Sequence, residues 1–162
     1  MERNTVVRML DKVIEVDDAQ IVYKHFGEDD SRGFTWRFYD PTIADELCKR
    51  YVVDGHTPLN VKEKIDNDGN VYYDLDIKIK PNNYGPKIYV RADGNKAILD
   101  LMDYGTLDKS YIVRFDFDFR VYPYDYKGRT GMAAALNVAQ ADIFSKRDRF
   151  ADDIPVVYED ED

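Results

Sequence analysis

The residues of this chain best suited to chemistry are its tyrosines and the basic side chains interleaved with them. The sequence holds 13 Tyr, 8 Phe and 1 Trp, so 14% of it is aromatic. Tyr84 lies near Lys87, and Tyr89 near Arg91. Tyr122, Tyr124 and Tyr126 lie near Arg120, Lys127 and Arg129. Tyr72 shares a strand face with Lys78 and Lys80. Cations that follow a phosphate backbone, alternating with aromatic plates on which bases stack, are what a single-stranded nucleic acid requires. Each stacked base contributes roughly 1–3 kcal/mol whatever its identity. The same tyrosines also suit the amphipathic surface of a β-sheet, where this residue type is common.

Other constellations point to catalysis less well. Asp116 and Asp118 sit at i and i+2 on one strand face, an arrangement that can hold a divalent metal for phosphoryl transfer. Their apolar-Asp-apolar-Asp-apolar setting resembles the catalytic strand of archaeo-eukaryotic primases, which implies a metal-dependent nucleotidyltransferase or nuclease. That chemistry also needs a downstream histidine, and both histidines, His25 and His56, precede Asp116. Arg114 and Arg120 share the carboxylates' face and offer ion pairing instead. Cys48 has no histidine near it in sequence, and Ser31, Ser110 and Ser145 lie in no nucleophile elbow. Asp66-Asn67-Asp68-Gly69 resembles part of a calcium loop, but position 77, where the closing Glu belongs, is Ile. No catalytic residue, resident metal or cofactor is expected.

The charge is unevenly distributed. Lys and Arg number 23 against 32 Asp and Glu, a net of −9. Six of the acids (Asp152, Asp153, Glu159, Asp160, Glu161 and Asp162) fall in the last stretch with no basic residue among them. The remaining chain carries 23 basic and 26 acidic residues, a net of −3. The sequence therefore reads as a near-neutral body over 1–150 and a separate acidic tail over 151–162. Such a tail can occupy a basic groove until a stronger polyanion displaces it. A single Cys excludes an internal disulfide, no run of apolar residues is long enough for a membrane helix, and the charged start MERNTVVRMLDKV has no apolar signal core. A cytoplasmic protein is expected.

The elements that must position these side chains are mostly strands. Residues 111–122 alternate, with Tyr111, Val113, Phe115, Phe117, Phe119 and Val121 on one face. Residues 71–80 alternate likewise, with Val71, Tyr73, Leu75, Ile77 and Ile79 together, and 61–65 is their hairpin partner across Asp68-Gly69. Val6, Leu10, Ile14 and Val16 are expected to share one strand face. Residues 21–26 and 34–39 read as a hairpin, placing Trp36 and Arg37 on opposite faces. One helix is signalled by Asp40 as N-cap and Pro41 at its first position, with Ile43, Leu47 and Tyr51 on one side. Residues 87–91 read as a strand, 97–104 as strand or short helix, and 133–143 equally as a helix or a closing strand. The sum is a mainly β chain: an OB-fold-like small antiparallel β-barrel with one helix.

Two segments carry a family resemblance. Ala151-Asp152-Asp153-Ile154-Pro155, followed by Val156, Val157, Tyr158 and four acids, resembles the acidic tip of bacterial single-stranded DNA-binding proteins, although here seven residues follow Pro155. Residues 124–140, YDYKGRTGMAAALNVAQ, resemble the closing strand region of phage-encoded single-stranded DNA-binding proteins, with Lys127-Gly128 and Gly131 in the loop and Leu136, Asn137 and Gln140 in the strand. The resemblance implies an oligonucleotide-binding fold, no catalysis, a role in replication or recombination, and Tyr126, Lys127 and Arg129 as DNA contacts. Joined to the tyrosine–cation pattern, it sets the expected groove as Tyr72, Lys78, Lys80, Tyr89, Arg91, Arg114, Arg120, Tyr122, Tyr126, Lys127 and Arg129. The tail residues Asp152, Asp153, Ile154, Pro155, Tyr158, Glu159, Asp160, Glu161 and Asp162 are expected to be disordered and to recruit protein partners. The competing reading of the −9 charge is an acidic interaction module that mimics DNA.

Overall fold

A computed structural model describes residues 3–27, 31–81 and 86–144. The acidic tail and Tyr84 lie outside the described residues. Ten strands follow one another with two helices: β1 (Val6–Met9), β2 (Ile14–Asp17), β3 (Gln20–His25), β4 (Gly33–Phe38), α1 (Pro41–Arg50), β5 (Lys62–Ile65), β6 (Val71–Lys78), β7 (Lys87–Ala92), β8 (Asn95–Ile98), α2 (Thr106–Lys109), β9 (Ile112–Tyr126) and β10 (Arg129–Ile143). The hydrogen-bonded path runs β1-β2-β9-β10-β6-β4-β3, with β5 on β6 and β7 and β8 branching from β10.

The sheet is not closed by a continuous ladder among the described residues, yet it folds over on itself. β4 and β9 are separated by β6 and β10 along the path, but their rings touch across the interior. Phe34 lies 5.2 Å from Phe115 and 5.1 Å from Phe117, and Trp36 lies 5.9 Å from Phe117 and from Phe119, between ring centroids. The Ala19 N–H also donates to the Phe115 carbonyl at 2.8 Å, tying the β2–β3 corner to β9. Alternation explains which rings meet: Phe115, Phe117, Phe119, Phe34, Trp36, Leu75 and Ile77 are all buried on one face, and their neighbours take the other, where Thr35 and Asp74 are covered in turn. Trp36 is thus a core residue, and Arg37 takes the outer face. β4 approaches β6 so closely that a β-carbon on Gly33 would fall 2.4 Å from the Ile77 carbonyl oxygen, a position only glycine can hold.

The helix forms as its caps dictate. The Asp40 side chain accepts from the Thr42 N–H at 2.9 Å, Pro41 opens the first turn, and Ala44 and Leu47 are buried. The β5–β6 turn is closed by the Asp66 carboxylate, which accepts from the N–H groups of Asp68 and Asn70, both at 2.9 Å.

Several elements depart from the sequence reading. The first strand is two strands folded back at Leu10–Val13, so Val7 and Met9 pack inward beside Ile14 and Val16, while Val6 and Leu10 are exposed. A hairpin turns at Asp93-Gly94 (φ 56° and 79°), making 97–98 part of β8, which is followed by a 3₁₀ turn and α2. Gly105 is the N-cap of α2. Alpha2 is held by Lys24, whose Nζ donates to the carbonyls of Leu107 and Ser110. At the start of β9 the ladder slips, so Ile112 packs inward while Tyr111 and Val113 are exposed.

Candidate nucleic-acid interface

The site grows out of the β9–β10 hairpin. Tyr126 pairs with Arg129 across a two-residue turn in which Lys127 (φ 50°) and Gly128 (φ 80°) both hold left-handed backbone. That is the turn whose twist matches paired strands. The segment read as a tyrosine-bearing loop is therefore strand on both sides, and Tyr122, Tyr124 and Tyr126 alternate onto one face. Beyond Phe119, β9 has no ladder partner other than β10 among the described strands, since β2 pairs only up to that residue. Pro123, which cannot donate to a ladder, is tolerated there.

On the outer face, β10 is a lane of small side chains. Ala133 stands opposite Tyr122, and Ala135 between Arg120 of β9 and Lys78 of β6. Small residues let the larger side chains of β6 and β9 approach each other over the strand between them. This explains the alanine-rich segment without a helix. The lane ends at Asn137, where a bulge shifts the register and reverses which alternate residues face the core: Met132, Ala134 and Leu136 before it, Ala139 and Ala141 after it.

A cleft of about 470 Å³ opens where β5 and β10 diverge along the same edge of β6. Its walls include Lys78, Lys80 and Arg129 with Tyr122, Tyr124 and Tyr126, and its remaining lining includes Leu59, Asn60, Asp76 and Met132. The Lys80 ammonium lies 5.1 Å from the Tyr122 ring centroid, and the Arg120 guanidinium 5.6 Å from it. The Lys127 ammonium lies 5.2 Å from the Tyr126 ring. Among the described residues none of Lys78, Lys80, Arg120, Lys127 and Arg129 has a carboxylate within salt-bridge distance. Seven of the expected groove residues thus gather in one place: Lys78, Lys80, Arg120, Tyr122, Tyr126, Lys127 and Arg129.

The other four stand elsewhere. Tyr89 and Arg91 pair with Gln140 and Asp142, some 20 Å further along β10. Arg91 is bound to Asp142 at 2.6 Å, and Tyr89 is covered by Lys96 at 4.7 Å. Arg114 is bound to Asp116 at 3.0 Å. Tyr72 lies at the far end of the β6 outer face, against Arg37. The first three belong to an acidic region, because the outer face beyond Asn137 brings Glu15 of β2 opposite Asp118. Asp116 accepts from the Asp18 N–H at 2.8 Å as well as from Arg114. Burial pushes the Asp118 carboxyl above the usual range, and the charges of Glu15 and Asp17 push the same way.

Tyr124, Asn60 and Asp76 are cleft residues that the expected groove omits. Tyr124 was legible, since it shares the parity of Tyr122 and Tyr126. Asn60 lies in the stretch before β5, and no local pattern marks it.

No model of a known protein family matches the chain, and no curated protein sequence matches it significantly. Solved structures do. The C-terminally truncated single-stranded DNA-binding protein of bacteriophage Enc34 superposes with a TM-score of 0.56 at 11% identity, covering 88% of this chain and 95% of that one. The untruncated protein gives 0.55 at 12% identity, covering 94% of each. The same phage protein in complex with single-stranded DNA gives 0.53 at 14% identity, covering 90% of this chain and 93% of that one. Over 88–94% of its length this chain shares the fold of that phage protein.

Proposed function

We propose that this chain is a sequence-independent single-stranded DNA-binding protein that acts in replication or recombination in the host cytoplasm without chemically altering its ligand. The observation that carries the reading is the sorting of its cations. Of the seven basic residues in the expected groove, Arg91 and Arg114 are neutralised by carboxylates, while the five around Tyr122, Tyr124 and Tyr126 are left for an outside anion. Lysine and arginine neutralise phosphates there and tyrosines stack bases. The fold shared with a phage protein solved with single-stranded DNA supports the same reading. The acidic residues from Asp152 onward compete with DNA for the cleft and recruit replication proteins.

Fluorescence anisotropy with a labelled oligo-dT and a duplex of equal length tests this. The single strand is expected to bind more tightly than the duplex, with an affinity that falls as salt rises. Absence of binding to either at low salt would overturn the reading in favour of an acidic module that mimics DNA.

A further inference from the structure

The outer face of β6 carries a second group of rings that the cleft does not include. Tyr72 opens the face that ends in Lys78 and Lys80, because Tyr73, Leu75, Ile77 and Ile79 all turn inward. Beside it on β4, Arg37 gives Nε and Nη2 to the two oxygens of the buried Asp74 at 2.9 and 3.0 Å. A guanidinium held by both forks cannot swing, so its plane is fixed. The Tyr72 ring centroid lies 4.4 Å from its central carbon, and that of Tyr23 lies 5.8 Å away. Tyr39 stands 6.1 Å from Tyr72, ring to ring. Lys64 also reaches Asp74 at 3.2 Å, so two cations face one carboxylate.

Core packing does not account for these rings. Tyr23 is 64% exposed and Tyr39 is 50% exposed. Tyr23 also holds a φ of 53°, a state that bulky residues rarely adopt and that the surrounding structure must enforce. It sits where β3 bulges between Val22 and His25, and bulges re-aim side chains. We propose that Tyr23, Tyr39 and Tyr72, arranged around the fixed guanidinium of Arg37, form a second base-stacking station for a single strand whose other end lies in the Tyr122–Tyr126 cleft. This rests on the single-strand reading above. Between the two stations the face offers the Lys62–Asp76 pair at 3.4 Å, which adds little net charge. From Tyr72 to Lys80 the strand runs about 26 Å. At the stacked spacing of 3.4 Å per nucleotide that distance takes about eight nucleotides. A footprint of that size falls within the roughly 4–16 nucleotides of a single OB-fold.

The test compares dT15, long enough for both stations, with dT4, which reaches one, by competition against a labelled dT15. The double variant Tyr23→Ala/Tyr39→Ala is expected to weaken dT15 binding about tenfold or more and to leave dT4 within twofold of the unaltered protein. The Tyr23→Phe/Tyr39→Phe pair keeps the rings and is expected to bind dT15 as tightly as the unaltered protein, which separates lost stacking from lost folding. Equal dT15 affinity for the alanine variant and the unaltered protein overturns the second station and leaves the cleft intact. Failure of the unaltered protein to bind dT15 would instead overturn the single-strand reading itself.

Discussion

The ring of Tyr124 lies directly over Gly131. A β-carbon added to that glycine would fall 2.6 Å from the tyrosine hydroxyl oxygen and 2.7 Å from the ring carbon that bears it. The two residues are cross-strand partners in the β9–β10 hairpin, so the missing side chain on one is the seat of the other. Gly131→Ala is therefore expected to lift the Tyr124 ring rather than disturb the backbone. Oligo-dT affinity should fall by the contribution of about one stacked base, roughly 1–3 kcal/mol. The melting temperature should change little. Tyr124→Ala should match it in affinity loss, and the double variant should be no worse than either alone. Additive losses in a double-mutant cycle would show that the seat and the ring act independently.

At the hairpin tip, Tyr126 and Lys127 offer a ring and a charge on adjacent residues. Tyr126→Ala with Lys127→Ala is expected to weaken binding and, in addition, to flatten its salt dependence. Each phosphate contact adds about 0.7 to the slope of log K against log salt for a single strand. Loss of Lys127 should remove about one such unit, as should Lys78→Ala, while Tyr126→Ala alone should lower affinity at every salt concentration and leave the slope unchanged. A slope that stays constant when a lysine is removed would take that lysine out of the phosphate track.

These residues show what a sequence can and cannot reveal. Strand β9 was legible because Phe115, Phe117 and Phe119 alternate with charged residues over many positions, and α1 because Asp40-Pro41 is a start signal in its own right, whereas the alanine-rich residues of β10 fit a helix equally well and were marked as strand by the family resemblance. Two bulges were not legible. An extra residue at Asn137 or near Val113 leaves the composition pattern intact yet reverses which parity faces the core. The β7–β8 hairpin carried a visible signal, Asp93-Gly94, that the ambiguous stretch after it obscured. The split between free and paired arginines was beyond local reading. Whether Arg91 meets Asp142 and Arg114 meets Asp116 depends on a cross-strand register between distant segments, and so does the gathering of Lys78 and Lys80 beside Arg120 and Arg129.

The competition proposed for the acidic residues from Asp152 onward concerns the same cleft. If they compete with phosphates for Lys78, Lys80, Arg120, Lys127 and Arg129, then truncation after Ala151 should tighten oligo-dT binding. The gain should be largest at low salt and fade as ionic strength screens the contest. Anisotropy titrations of the full and shortened chains across a salt series measure this directly. Identical affinities throughout the series would remove the competition and leave recruitment of partners as the tail's role.

Two carboxylates on the outer face carry opposite pH signatures. Burial raises the Asp74 carboxyl, but hydrogen bonds from Arg37 and Lys64, with their charges, outweigh it and hold the group below the usual carboxylate value. Its stabilising contribution is present above the unfolded value near 3.8 and is lost only as pH falls through the lower folded value. Asp118 runs the other way. Burial together with the charges of Glu15 and Asp17 raises its folded value, so its ionised form strains the native state at neutral pH, and stability is regained as pH falls through that raised value. Asp118→Asn is therefore expected to raise the melting temperature at pH 7, with the gain disappearing toward pH 4. Asp74→Asn is expected to lower the melting temperature at pH 7, because it leaves Arg37 and Lys64 beside a neutral amide. Melting curves of the two variants at both pH values check the pair. A destabilised Asp118→Asn at pH 7 would mean that this carboxylate makes a favourable contact with Arg8 larger than the repulsion it relieves.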